Sequence, residues 1–176
     1  MYTANLNFDN DFDNILINFL KTSNFSVDPN LTSRDLRMKF FNFRKRQIDP
    51  QPRKILFSNK FVCPPQHQRG LDILISKIES GENLTPYLSK FIADLDYNDP
   101  LLNDWGIYHL HLGEAFESNG SSFIDRTGQL LFLRVDNENA MLINVLSHNS
   151  WTDQQMLREI HENWPLINKS IFIGSK

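Results

Sequence analysis

The chain has 176 residues, 40% hydrophobic and 12% aromatic, with a formal net charge of −3. Its 14 phenylalanines supply enough apolar surface for a core and exclude an extensively disordered chain. A single cysteine, Cys63, excludes an internal disulfide and a cysteine zinc cluster. No apolar run reaches the ~20 residues of a membrane span. The first residues, Met1 to Asp9, lack the basic and apolar parts of a signal peptide. A cytoplasmic protein with no membrane partner is expected.

Taken in chain order, the pattern begins with helices. Phe12, Ile15, Leu16, Phe19 and Leu20 recur at helical spacing over Asp11–Lys21, with aspartates at the start to suit the helix dipole. Asp28-Pro29-Asn30 is a turn, after which Thr32 or Ser33 caps a second helix reaching about Arg46, with Leu36, Phe40 and Phe43 inward. Lys54-Ile-Leu-Phe-Ser58 can form a short strand. A third helix is predicted over Gln66–Ser80 with Gly81 as its stop, and a fourth over Pro86–Leu95. Asp94, Asp96, Asp99 and Asp104 read as turn chemistry because their spacing fits no calcium loop.

The second part reads as a sheet. Trp105–Leu112 alternates as a strand, placing Trp105, Ile107, His109 and His111 on one face. Gly113–Gly128 is a long polar loop. Gln129–Val135 and Ala140–Ser147 are apolar runs around a polar turn, an antiparallel hairpin. Thr152-Asp-Gln-Gln155 resembles a capping box for a last helix ending near Asn163, and Ile171–Ile173 can add a terminal strand. The expected class is α+β: a helical N-terminal half, then a small, mainly antiparallel sheet with a C-terminal helix. A single domain, 1–176, would comprise a mostly helical part, 1–100, and a sheet-plus-helix part, 101–176.

Charge is unevenly spread. Arg34, Arg37, Lys39, Arg44, Lys45, Arg46, Arg53 and Lys54 stand against only Asp35 and Asp49, so Arg34–Lys54 is +6 and the remainder −9. Such a stripe can attract a phosphate backbone, although it also suits a solvated helix face. The nucleic-acid-binding candidates are Arg34, Arg37, Arg44, Lys45, Arg46, Arg53 and Lys54.

His109 and His111 stand ~7 Å apart along one strand face, and His148 ends a later strand. Histidines near their ordinary pKa can move the protons that RNA cleavage by its own 2′-hydroxyl requires. Arginines match the phosphate oxygens, and Arg126 and Arg134 flank the same segment. The catalytic candidates are therefore His109, His111, Arg126, Arg134 and His148, with no metal and no cofactor. The three histidines could instead ligate zinc with a fourth position open to water. Asp125 is the local salt-bridge neighbour expected for Arg126.

The span Trp105–His148 resembles the sheet of the RelE/ParE-like toxin superfamily, which includes ribosome-associated and free ribonucleases. The residues that carry the likeness are Asp125-Arg126-Thr-Gly, then Leu-Leu-Phe-Leu-Arg-Val135, a short turn, and Met-Leu-Ile-Asn-Val-Leu-Ser-His148. The resemblance implies Arg126 and Arg134 as phosphate binders and His148 as a proton-transfer group. The leading expectation is an RNA-cleaving or RNA-binding, toxin-like or defence-related protein, with RNA and an antitoxin-like protein as partners. A non-enzymatic immunity or regulatory module and a His-ligated metallohydrolase are the alternatives. Oligomeric state is not legible.

Overall fold

The computed structural model describes residues 7–148, 150 and 154–165. The chain forms two compact units, Met1–Gln47 with Phe91–Asn98, and Ile48–Lys90 with Asp99–Lys176. The class is α+β, with helices in the N-terminal half, a four-stranded mixed sheet and a C-terminal helix. Among the described residues no helix is long and apolar enough to cross a membrane.

The first unit holds α1, Phe8–Thr22, and α2, Ser33–Lys45. Asn7 caps α1 by accepting the Asn10 N–H, and Asp9 and Asp11 sit in its positive first turn. Thr32 caps α2 through the Asp35 N–H at 3.1 Å and donates its hydroxyl to the Asp35 carboxylate at 2.7 Å. Arg37 meets Asp9 and Asp13 near the start of α1, whereas Phe40 and Phe43 meet Phe19 near its end. The helices therefore run side by side in the same sense, burying Leu16 and Leu20 with Leu36 and Phe43. Arg46 is buried and donates to the carbonyls of Asn42, Phe91 and Asp94, pinning segment 91–98.

The predicted fourth helix is instead two 3-10 turns, Thr85–Tyr87 and Lys90–Ala93. Pro86 takes an early position in the first, and the chain resumes extended backbone at Leu88.

The second unit carries β1, Lys54–Phe57; α3, Gln68–Ser80; α4, Pro100–Trp105; β2, Tyr108–His111; β3, Gln129–Val135; β4, Asn139–Ser147; and α5, Gln154–Asn163. Strand order is β1-β4-β3-β2, antiparallel except that β1 runs parallel to β4. Leu130 to Leu133 are all fully buried, so both sheet faces are covered and the usual in–out alternation vanishes. Ile107, Leu130, Phe132 and Ile143 pack with Leu101 of α4 and with Met156 and Ile160 of α5. Leu110, Leu131 and Leu133 point to the other side, and α3 buries Leu71, Leu74 and Ile78. Gly70 lets α3 approach closely, since a Cβ there would lie 1.9 Å from the Leu112 carbonyl oxygen. Ile143 is an extra residue in β4, between the pairs Phe132↔Asn144 and Leu133↔Leu142.

The strand expected over Trp105–Leu112 is shorter. Asp99 accepts the Leu102 N–H and Pro100 opens α4, so Trp105 ends a helix and is exposed. Gly106 then adopts φ +66°, the left-handed cap that turns the chain into β2. The capping box at Thr152 and Asp153, the Trp151 ring that could stack on a base, and the terminal strand at Ile171–Ile173 lie outside the described residues.

Candidate functional site

β2 is an edge strand whose residues pair His109↔Phe132 and His111↔Leu130. Paired residues share a face, so both imidazoles project to the side that α4 and α5 cover. They are accordingly only 5% and 7% exposed. Burial is the main cause that lowers the His109 pKa to about 3, and the nearby charges of His111, His148 and Arg126 add to it. Burial likewise lowers His111 to about 4, helped by Arg126 and His148 and opposed by the Thr127 hydrogen bond and Glu117. Both rings are therefore neutral near pH 7, and neither matches the pKa near operating pH that a proton-transfer group needs. Asp99, the α4 cap, places Oδ2 3.9 Å from His109 Nδ1, beyond hydrogen-bond reach.

The ring of His111 is oriented by the loop that follows. The Thr127 N–H donates to His111 Nδ1 at 3.3 Å, so the neutral ring carries its proton on Nε2 and presents a donor there. Thr127 Oγ1 accepts the Leu112 N–H at 3.1 Å and donates to the Gln129 carbonyl at 2.6 Å, tying the end of β2 to the start of β3. The His148 N–H donates to the Gly128 carbonyl at 3.1 Å. Residues 126–128 thus gather His111, Arg126 and His148 at one end of the sheet, with His109 two residues deeper and His148 exposed.

Arg126 is held from several sides. Nη1 donates to the Leu88 carbonyl at 2.8 Å, Nε lies 3.7 Å from Glu117, and the guanidinium stands 4.9 Å from the Phe123 ring centre. Glu117, not the adjacent Asp125, is its carboxylate neighbour. Glu117 is itself hydrogen-bonded by Lys90 at 2.7 Å, which holds its carboxyl below the usual range. Burial lowers the Arg126 pKa, and Glu117 counters it. Its Nη2 is enclosed and has no hydrogen-bond acceptor among the described residues, a costly state for a charged donor.

Arg134 belongs elsewhere. It lies four residues along β3 from Leu130, ~13 Å at strand rise, beside Gly106 and partly buried. The seven nucleic-acid candidates also divide. Arg46 and Arg53 are buried, and Arg53 gives its donors to the carbonyls of Asp136, Asp49 and Gln51. Arg37 is paired with Asp9 and Asp13, and Arg44 donates to Gln47. Arg34, Lys45 and Lys54 are exposed, but Lys54 belongs to the sheet unit and the other two to the helical one. Nearby Lys39 is paired with Asp96.

Among the described residues no three His, Cys, Asp or Glu side chains converge on a metal position, and His111 Nδ1 is already occupied. Thr127 and Glu117 are the site residues that sequence reasoning missed. The signal for Thr127 was slight, a hydroxyl residue between the arginine and a glycine. No known family model, curated protein or solved structure matches the chain.

Proposed function

We propose that the sheet end built around residues 126–128 grips a phosphate of RNA, and that the protein is an RNA-cleaving or RNA-binding one of toxin-like or defence-related role. The reading rests on one observation: main-chain hydrogen bonds from Thr127 and His148 gather a neutral histidine donor, a desolvated guanidinium and an exposed histidine around one loop. The resemblance to RelE/ParE-like ribonucleases implies the same Arg126 and His148, and also Arg134, which lies four residues along β3 from Leu130. In this reading Arg126 stabilises phosphate charge, His111 donates from Nε2, and His148 moves the proton. His109 keeps a structural place beneath them.

The test is cleavage of a labelled RNA by wild type, His148→Ala, Arg126→Ala, His111→Asn and His109→Ala, with and without EDTA. His148→Ala and Arg126→Ala are expected to lose roughly 10²–10⁴-fold in rate while keeping fold, and EDTA to change nothing. Equal cleavage by all variants would overturn the assignment.

A second reading, an immunity or regulatory module with a protein partner, draws on the exposed apolar side chains of α1 and α2. It takes the lead if the wild type neither binds nor cleaves RNA.

A further inference from the structure

The helical unit carries a surface that the sheet site does not explain. Phe8, Phe12, Ile15 and Phe19 follow spacings of four, three and four, a single stripe down α1. Phe8 and Ile15 are exposed by 76% and 63%, while Phe12 and Phe19, at 39%, also meet Arg37 and Phe40 of α2. They are not the buried side of α1, which is formed by Asp13, Leu16 and Leu20. Arg34, Met38, Phe41 and Lys45 repeat the same spacing on α2, and Met38 and Phe41 are 65% and 56% exposed. Between the two helices lies a groove of about 570 Å³ whose lining includes Asp9, Arg34, Met38 and Phe41.

We propose that this α1/α2 face is a homodimer interface, covered by the same face of a second copy. Three observations point to that occupant. The six exposed apolar side chains offer on the order of 600 Å² per copy, taking ~150–250 Å² for each whole aromatic side chain. Their polar rims bring this close to the ~800 Å² per partner of a stable interface. The stripes on both helices have the spacing that lets ridges of one pair pack into grooves of another. The charges are also self-complementary. Asp11 borders the α1 stripe, while Arg34 and Lys45 bracket Met38 and Phe41 on α2. Because the helices run in the same sense, a two-fold axis along them sets α1 of each copy on α2 of the other. Asp11 then stands beside the partner's Arg34, and the contact occurs twice.

Sedimentation velocity of the full chain over a wide micromolar range tests the proposal. The wild type is expected to be a dimer. Ile15→Glu and Phe41→Glu should each weaken it at least about 30-fold, the loss expected for an interface anchor, with helical circular dichroism unchanged. Asp11→Arg should weaken the dimer, and adding Arg34→Asp should restore it. That charge swap touches only exposed positions and keeps the test sound if an apolar-to-charge variant fails to fold. A wild type that stays monomeric overturns the proposal, as does a dimer indifferent to every one of these changes. So does a monomer that uses the stripe to hold lipid vesicles or a different protein.

Discussion

At the scale of single residues, the histidines divide by burial. Two share a strand face that helices cover, and a third stands at the strand end in water. The buried pair couples protonation to stability with a definite sign. Folded values of about 4 for His111 and about 3 for His109 lie below the ordinary 6.5, so the unfolded chain takes up protons that the folded one refuses. Their contribution is complete above about pH 6.5 and is lost as pH falls from there towards 4 and then 3. The loss is of order a few kcal/mol, at ~1.4 kcal/mol for each tenfold proton preference. Urea unfolding at pH 7.5, 6 and 5 should show a falling midpoint before the carboxylates titrate. His111→Asn should flatten that fall, whereas an unchanged pH dependence would mean the rings are solvated. The residue that orients His111 escaped sequence reading because Thr127 acts through its backbone N–H, which any residue but proline carries.

At the scale of elements, close approaches and caps do much of the positioning. Gly70→Ala would drive a Cβ into the Leu112 carbonyl, at the residue that follows His111. It should cost about 1–3 kcal/mol as overpacking does, measured as a lowered thermal midpoint; an unchanged midpoint would mean α3 moves aside at no cost. The β3–β4 hairpin was legible because two apolar runs flank Asp136-Asn-Glu-Asn139. The start of the histidine strand was misread, although the signals of α4 were present. Asp99 and Pro100 open a helix and Gly106 closes it, but Trp105 and Ile107 also satisfy strand alternation, and only the left-handed Gly106 decides between them. Burial of the two histidines could not be read from β2 alone. It depends on the pairing with Leu130 and Phe132 and on the helices that cover that face.

At the scale of the whole molecule, the chain builds two units with different charge economies. In the helical unit, Arg37 and Arg46 are internal fasteners, the first paired with Asp9 and Asp13 and the second bound to three carbonyls, while Arg34 stays exposed. Arg46→Ala should remove three carbonyl contacts and destabilise that unit by about 2–4 kcal/mol, given ~1.5–3 kcal/mol for a hydrogen bond from a charged group. Hydrogen exchange would register this as faster exchange in α1 and α2 with the protection of β3 and β4 unchanged. Equal loss of protection in both units would show that they unfold together. In the proposed reading the phosphate contact falls to the sheet end, where Arg126 and His148 stand. The most direct measurement is the long-range ¹H–¹⁵N spectrum of the histidine side chains at pH 7, with and without a short 2′-deoxy-substituted RNA that cannot be cleaved. Titration should shift the His148 ring and the Arg126 guanidinium saturably, while His111 keeps its proton on Nε2. A strand that leaves both groups unmoved, or that shifts only the α2 cations, would contradict a phosphate site at the end of this sheet.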